Sequence, residues 1–262
     1  MSEEHKRYLS KLKRKRILIK LVQIGILILL FGLWELFAHV KIIDPFLTSS
    51  PSRVVQSISN LYESGMLFRH LGATLLETVI SFLLSTVIGT LIAIILWWNE
   101  TVRRISEPYI IVLNALPKIA LGPLIIIWAG AGRNAIIVMA LLICVIITII
   151  SMLTGFMSID KGKMQLMKSM KATKLQTLCK LILPGNIPTL ISVLKINVGL
   201  SWVGTIMGEY LVSREGIGYL LVYGSQIFRL DLVMASTIML CILATAMYLG
   251  VSLVEKLIHK YY

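Results

Sequence analysis

The chain has 262 residues, of which 57% are hydrophobic and only 15% carry a charge, a balance that excludes an ordinary soluble domain. A formal net charge of +13 would suit a nucleic-acid-binding protein if the charge covered one surface. The lysines and arginines instead form short clusters beside apolar runs, which indicates membrane topology and no nucleic-acid partner.

The N-terminal residues 1–16 are strongly basic, and an apolar run of 22 residues follows at 17–38. This run is longer than the apolar region of a signal peptide, and no A-x-A cleavage site follows it. We therefore expect a cytoplasmic basic N-terminus and a first transmembrane helix.

Residues 39–70 contain Pro45, Pro51 and several serines, followed by an amphipathic stretch. The proline- and serine-rich part predicts an extended link, and the amphipathic part predicts a short helix. Both are expected on the outer surface of the membrane.

Six segments are apolar over the roughly 20 residues that a helix needs to cross the hydrocarbon core of a bilayer. They are 17–38, 71–97, 108–129, 135–157, 190–211 and 232–254. The pattern predicts an all-α membrane protein with about six transmembrane helices. The third segment holds Pro117, Gly122 and Pro123, so it should be kinked or begin as an interfacial helix.

The orientation follows from the lysines and arginines. With the N-terminus inside, 18 of the 26 basic residues fall on the cytoplasmic side and 6 on the outside. This bias follows the positive-inside rule, and it places both termini and the 158–189 loop in the cytoplasm.

The sequence contains none of three common nucleotide-binding or catalytic motifs. The phosphate-binding pattern G-x-x-x-x-G-K-[ST] does not occur, and neither does H-E-x-x-H or G-x-S-x-G,. The three cysteines and four histidines are scattered, so we predict no metal site, no cofactor and no enzyme active site.

Five charged residues lie within or beside the apolar segments: Glu35, Glu77, Lys118, Lys195 and Glu209. Each is near the end of a span, and the pattern favours charges that reach the membrane interface. No carboxylate lies clearly at mid-membrane, which argues against a carrier that works alone.

Small residues line part of the fifth segment, where Gly204 and Gly208 form a G-x-x-x-G pair. Small residues allow helices to approach closely. Two interpretations remain open: tight packing inside one subunit, or a face turned to a dimer partner or a pore.

The short run 216–228 cannot cross the membrane and should lie at the surface or dip in and out. Gly216 and Gly218 are expected to allow a tight turn into a short outer helix. Because Glu209 lies just before them, this stretch is a candidate gate.

The loop 158–189 is basic, and two stretches of it show helical spacing of apolar residues, 160–173 and 174–183. Pro184 and Pro188 follow and should end the second helix. Two short amphipathic helices at this face either lie on anionic lipid or seat in a groove of a soluble partner.

This loop resembles the coupling loop of binding-protein-dependent ABC importer permeases, whose motif is E-A-A, three residues, Gly, nine residues, then I-x-L-P. The equivalent positions here are Gln165, Leu166 and Met167, then Lys171, then Leu181-Ile182-Leu183-Pro184. The spacing matches throughout, but the E-A-A triplet is absent and Lys171 replaces the glycine. The stretches "ALPKIALGPLIIIWAGAG" and "EYLVSREGIGYLLVYG" resemble the nitrate, sulfonate and taurine branch, which also imports bicarbonate and some pyrimidine vitamin precursors.

The resemblance implies a bacterial inner-membrane permease domain over 71–258, with two copies forming the pathway. It also implies two separate ATPase subunits and an external solute-binding protein. The residues expected to contact the ATPase are Gln165, Leu166, Met167, Lys171, Ala172, Leu175, Leu178, Leu181, Leu183 and Pro184. Two alternatives remain: a secondary carrier or channel acting alone, and a scaffolding membrane protein with a lipid-lying loop.

Overall fold

The computed structural model describes residues 3–261, and within that range it leaves out the side chains of 3–13, 16, 45 and 259–261. The elements are α1 (Glu3–His39), α2 (Pro45–Thr48), α3 (Pro51–Glu63), α4 (Met66–Trp98), α5 (Glu100–Ala115), a 3₁₀ turn (Lys118–Leu121), α6 (Gly122–Ala129), α7 (Arg133–Met157), α8 (Lys161–Ser169), α9 (Lys174–Thr177), a π-helical turn (Leu178–Ile182), α10 (Leu183–Gly185), α11 (Ile187–Val212), α12 (Ile217–Gln226) and α13 (Leu230–Tyr261). The prediction of an all-helical chain is confirmed over these residues.

Five helices are long and apolar enough to cross a membrane, and the bent pair α5–α6 raises the number to six if it counts as one span. The five are 17–39, 66–98, 133–157, 187–212 and 230–258. Each matches a predicted segment within about five residues.

The third predicted segment is broken, as its prolines and glycine predict. The parts on either side of Leu116 and Pro117 meet at 89°. Leu116 is extended, with φ −64° and ψ 136°, because the residue before a proline is driven out of the helical region.

Helices α4, α7 and α11 form the centre of the bundle. Small residues set their spacing: a Cβ added at Gly89 would lie 2.6 Å from the Thr148 side chain. At the same level the Asn197 amide, on α11, donates to the Thr148 hydroxyl at 2.8 Å. The centre therefore combines close helix approach with buried polar contacts, as membrane bundles commonly do.

Helix α1 stands apart from this bundle. None of its membrane window is buried within the chain, and its exposed aliphatic side chains are suited to lipid or a neighbouring subunit. At its end, Glu35 accepts hydrogen bonds from the Ser52 amide at 3.0 Å and the Ser52 hydroxyl at 2.8 Å. This contact ties α1 to the start of α3.

Helix α3 is the amphipathic helix predicted within 39–70. Ser50 caps it by accepting the Arg53 amide at 3.4 Å, and Pro51 occupies its first turn, where a missing N–H costs nothing. Its buried residues include Val54 and Ser57, and it packs on α13 at the end of the bundle that also carries α12.

Candidate functional site

The first candidate site is the loop between α7 and α11. Asp160 caps α8 by accepting the Lys163 amide at 3.0 Å. At the other end of α8, Lys171 is left-handed with φ +53°, and two bonds close the turn: Lys171 N–H to Lys168 O at 2.9 Å, and Ala172 N–H to Met167 O at 3.0 Å. This is the Schellman arrangement, which usually places glycine at the left-handed residue.

The second helix of the loop starts at once. Thr173 accepts the Gln176 amide at 3.2 Å, and the Gln176 side chain accepts the Thr173 amide at 2.8 Å. This reciprocal capping box satisfies two amides that the helix leaves free. The turn 170–173 is therefore defined on both sides by hydrogen bonds.

The loop is attached to the bundle through its second helix. Leu178 and Ile182 are buried against Ala93, Met152 and Phe156. The expectation that Leu178 faces an outside partner is therefore wrong: it is only 6% exposed, because it shares with Ile182 the helix face that packs on the chain's own core,.

A different set of apolar side chains faces outward. Leu166 is 60% exposed, Met170 70% and Leu175 58%. Gln165 and Lys171 are also exposed, while Met167, Ala172, Leu181, Leu183 and Pro184 are half-buried. The outward face, defined here as Leu166, Met170 and Leu175, projects from the end of the bundle.

Lys174 helps to hold the outward face in position. Its ammonium donates to the Trp98 carbonyl and lies 5.6 Å from the centroid of the Trp98 ring, within the range of a cation–π contact. The first turn of α9 is thereby joined to the end of α4.

The second candidate site lies at the opposite end of α11, where Glu209 is 1% exposed. One carboxyl oxygen of Glu209 contacts the Thr74 hydroxyl at 2.6 Å, and the other accepts the Gly218 amide at 2.5 Å. The Thr74 hydroxyl also accepts the Ile217 amide at 2.8 Å. The start of α12 is therefore held by side chains from α4 and α11.

The turn 213–216 is held in the same way. Gly216 has φ +102°, a region open to glycine, and its amide donates to His70 Nδ1 at 3.0 Å. A Cβ on Gly216 would overlap the Glu209 carboxylate. Beside it, Arg69 pairs with Glu215, and this hydrogen bond lowers the pKa of the Glu215 carboxyl from its usual value.

Glu77 adjoins this cluster from α4. It is 4% exposed, it interacts electrostatically with Glu209, and Arg133 approaches it at 3.4 Å. The expectation that Glu77 and Glu209 face the membrane interface is therefore wrong. Both point into the bundle, where a hydroxyl and an amide donate to Glu209 and the Arg133 guanidinium faces one oxygen of Glu77.

The Gly204 and Gly208 pair packs within this subunit. A Cβ on Gly204 would lie 2.5 Å from the Ala140 Cα, and one on Gly208 would lie 2.9 Å from the Ile136 Cα. These two glycines allow α11 to lie against α7, which is the first of the two interpretations that the sequence left open.

The structure adds two residues that sequence analysis did not select, His70 and Thr74. Both lie on one face of α4, four residues apart, and both are buried. Their spacing is a signal for a shared helix face, but nothing in the sequence pairs that face with residues more than 130 positions away.

The class of protein follows from this architecture: a helical membrane bundle with a capped, projecting loop at one end and a buried polar cluster at the other. Residues 85–261 match the family of binding-protein-dependent transport system inner membrane components, and the chain belongs to that family. It is a multi-pass membrane protein.

Several curated proteins are similar over most of their length. The formylaminopyrimidine transport permease protein ThiX of Halalkalibacterium halodurans is 32% identical over 192 residues, which are 73% of this chain and 76% of that protein. The taurine transport system permease protein TauC of Escherichia coli is 25% identical, over 90% of this chain and 87% of that protein. A probable ABC transporter permease protein of Haemophilus influenzae is 27% identical, over 94% and 97%.

Solved structures show the same fold. A chain of the inward-facing MetNI methionine ABC transporter superposes with a TM-score of 0.66 at 20% identity, covering 73% of this chain and 95% of its own length. A chain of a bacterial alginate ABC transporter superposes with a TM-score of 0.64 at 18% identity, covering 95% and 98%. The fold is that of an ABC importer permease.

Proposed function

We propose that the chain is the permease subunit of an ATP-driven importer for a small solute, and that ATP is hydrolysed on a separate subunit. The observation that carries the proposal is the outward face of Leu166, Met170 and Leu175. These exposed apolar side chains lie on a loop whose other side packs against the bundle. A short amphipathic helix that binds in a groove of a partner protein has this arrangement.

The assembly we propose has two copies of the chain, two ATPase subunits and an external solute-binding protein. Residues 158–189 lie in the cytoplasm with both termini, in agreement with the charge bias. The solute classes named for the relatives, taurine, aliphatic sulfonates and formylaminopyrimidine, define the first panel to test.

The buried cluster around Glu209 is proposed as part of the outer gate. It ties α12 to α4 and α11 through three hydrogen bonds to backbone amides, at Gly216, Ile217 and Gly218. Movement of α4 relative to α11 would therefore be transmitted directly to α12.

The deciding experiment isolates the tagged chain in mild detergent from membranes of the cells that naturally make it. We expect a P-loop ATPase to be retained and the complex to hydrolyse ATP. Leu175→Asp should remove both, because a carboxylate would replace an apolar contact, while Ser59→Asp, on an exposed side of α3 at the other end of the bundle, should not. Uptake of the solute without any retained ATPase would support a carrier acting alone and overturn the proposal.

A further inference from the structure

A groove lies at the end of the bundle that carries α12. It has a volume of about 380 Å³, within the range of small-molecule sites. Its walls come from four helices: α3, the start of α4, α12 and the start of α13.

One wall of the groove is a stack of rings. His70 and Tyr219 are stacked with centroids 6.0 Å apart and planes at 16°, and Tyr219 and Tyr223 are stacked at 5.8 Å and 16°. The buried side chains of Leu220 and Leu232 line the same groove. This surface suits a flat or apolar group rather than a small hydrated ion.

The charge of the groove is positive. Arg214 and Arg229 both line it, and none of the lining residues that the structure describes is acidic. Asp231 approaches Arg229 at 3.7 Å but also accepts the Ser57 hydroxyl at 3.1 Å. Among the described side chains, Arg214 has no carboxylate within ion-pair distance.

The neighbouring acidic side chains are already paired with other arginines. Arg69 pairs with Glu215, and Arg133 pairs with Glu77. His70 accepts the Gly216 amide on Nδ1, so its neutral ring carries the proton on Nε2. The groove therefore presents two guanidinium groups, and among the described side chains only Arg229 has a carboxylate partner, Asp231.

We propose that this groove binds a small organic carboxylate, with its charged group between Arg214 and Arg229 and its flat or apolar body against Tyr219 and Tyr223. A guanidinium fork matches the two oxygens of a carboxylate. Arg214 precedes α12 and Arg229 follows it, so one bound anion bridges the two ends of that helix.

The test uses the purified full-length chain in lipid nanodiscs, with benzoate as the probe. Benzamide keeps the ring without the charge, and inorganic phosphate keeps the charge without the ring. Calorimetric titration and saturation-transfer NMR should show one benzoate site per chain, with both analogues at least about tenfold weaker because each loses one set of contacts.

Arg214→Gln and Arg229→Gln should each weaken benzoate binding about tenfold, the equivalent of one charge-assisted hydrogen bond. Lys41→Gln, which removes an exposed cation outside the groove, should leave binding unchanged. An unchanged thermal unfolding midpoint verifies that each variant is folded.

Three results would overturn the proposal: no saturable benzoate binding, equal binding of benzoate and benzamide, or binding that neither arginine substitution weakens. A further arm uses the peptide acetyl-Ala-Glu-Ala-amide. If the peptide binds and benzoate does not, the groove accepts an acidic side chain of a protein and not a free carboxylate.

Discussion

Glu209 and Gly218, nine residues apart, are joined by a hydrogen bond of 2.5 Å from the Gly218 amide to the Glu209 carboxyl group. A Cβ on Gly218 would lie 2.7 Å from that carboxyl oxygen and 2.8 Å from the Glu209 Cβ. The absence of a side chain at Gly218 is thus a condition for the contact between α12 and α11.

Gly218→Val should impair transport while leaving the protein in the membrane. The added side chain must displace either Glu209 or the start of α12, and such overpacking costs about 1–3 kcal/mol. Uptake of the solute panel is the measurement. Gly199→Val is the matched control, because a Cβ at Gly199 meets nothing within 4 Å. Full transport by Gly218→Val would count against a gate at this contact.

Glu209→Gln and Glu209→Leu should differ. The amide of glutamine retains an acceptor for the Gly218 amide, whereas leucine leaves that buried donor without a partner, at a cost of about 1–3 kcal/mol. We expect the unfolding midpoint in detergent to fall more for Glu209→Leu than for Glu209→Gln. Equal midpoints would show that the hydrogen bond does not stabilise the fold.

Lys171→Gly should leave stability unchanged or raise it slightly. A left-handed backbone costs a non-glycine residue about 1–2 kcal/mol, and glycine would relieve this strain. The greater conformational freedom of glycine in the unfolded chain offsets roughly 0.5–1 kcal/mol of that stabilisation. Lys168→Gly, within α8, is the comparison and should be destabilising. A lower midpoint for Lys171→Gly than for Lys168→Gly would contradict the left-handed turn.

Leu175→Asp and Leu178→Asp should fail in different ways. Leu175 is exposed, so its variant should fold normally and lose only the ATPase. Leu178 is buried with Ile182 and Phe156, so its variant should lose folded protein, because an uncompensated carboxylate is costly in an apolar core. Size-exclusion profiles and ATPase retention, measured on both variants, separate the two effects.

Labelling should test the orientation. Ser59 and Ser158 are both exposed, and cysteines introduced there, in a background without the three native ones, report opposite sides. An impermeant maleimide added to intact cells should label the cysteine at position 59 and not the one at 158. The reverse pattern would place the loop 158–189 outside.

The long helices could be predicted from the sequence because a membrane span depends on local composition. The break at Pro117 could also be predicted, since proline acts on its own neighbours. The loop helices followed from the same kind of local signal, here the spacing of apolar residues and the two prolines.

What sequence analysis could not provide was the direction of individual side chains. The apolar spacing predicts that Leu178 faces a partner, but it is buried, because the same apolar face that could seat in a partner packs on the chain's own core. Glu77 and Glu209 were expected at the interface and meet inside the bundle. Their partners lie on other helices, and only the packed structure brings these groups together.

The π-helical turn at Leu178–Ile182 also has a consequence for insertions and deletions. A π-helical turn holds one residue more than the α-helical turn it replaces. Loss of a single residue here would restore a regular helix without breaking any cap. The deletion would also rotate the helical residues before the turn by about 100° relative to those after it. Leu175 would then point away from the direction it now faces. The length of this loop should therefore be fixed more strictly across species than its amino-acid composition.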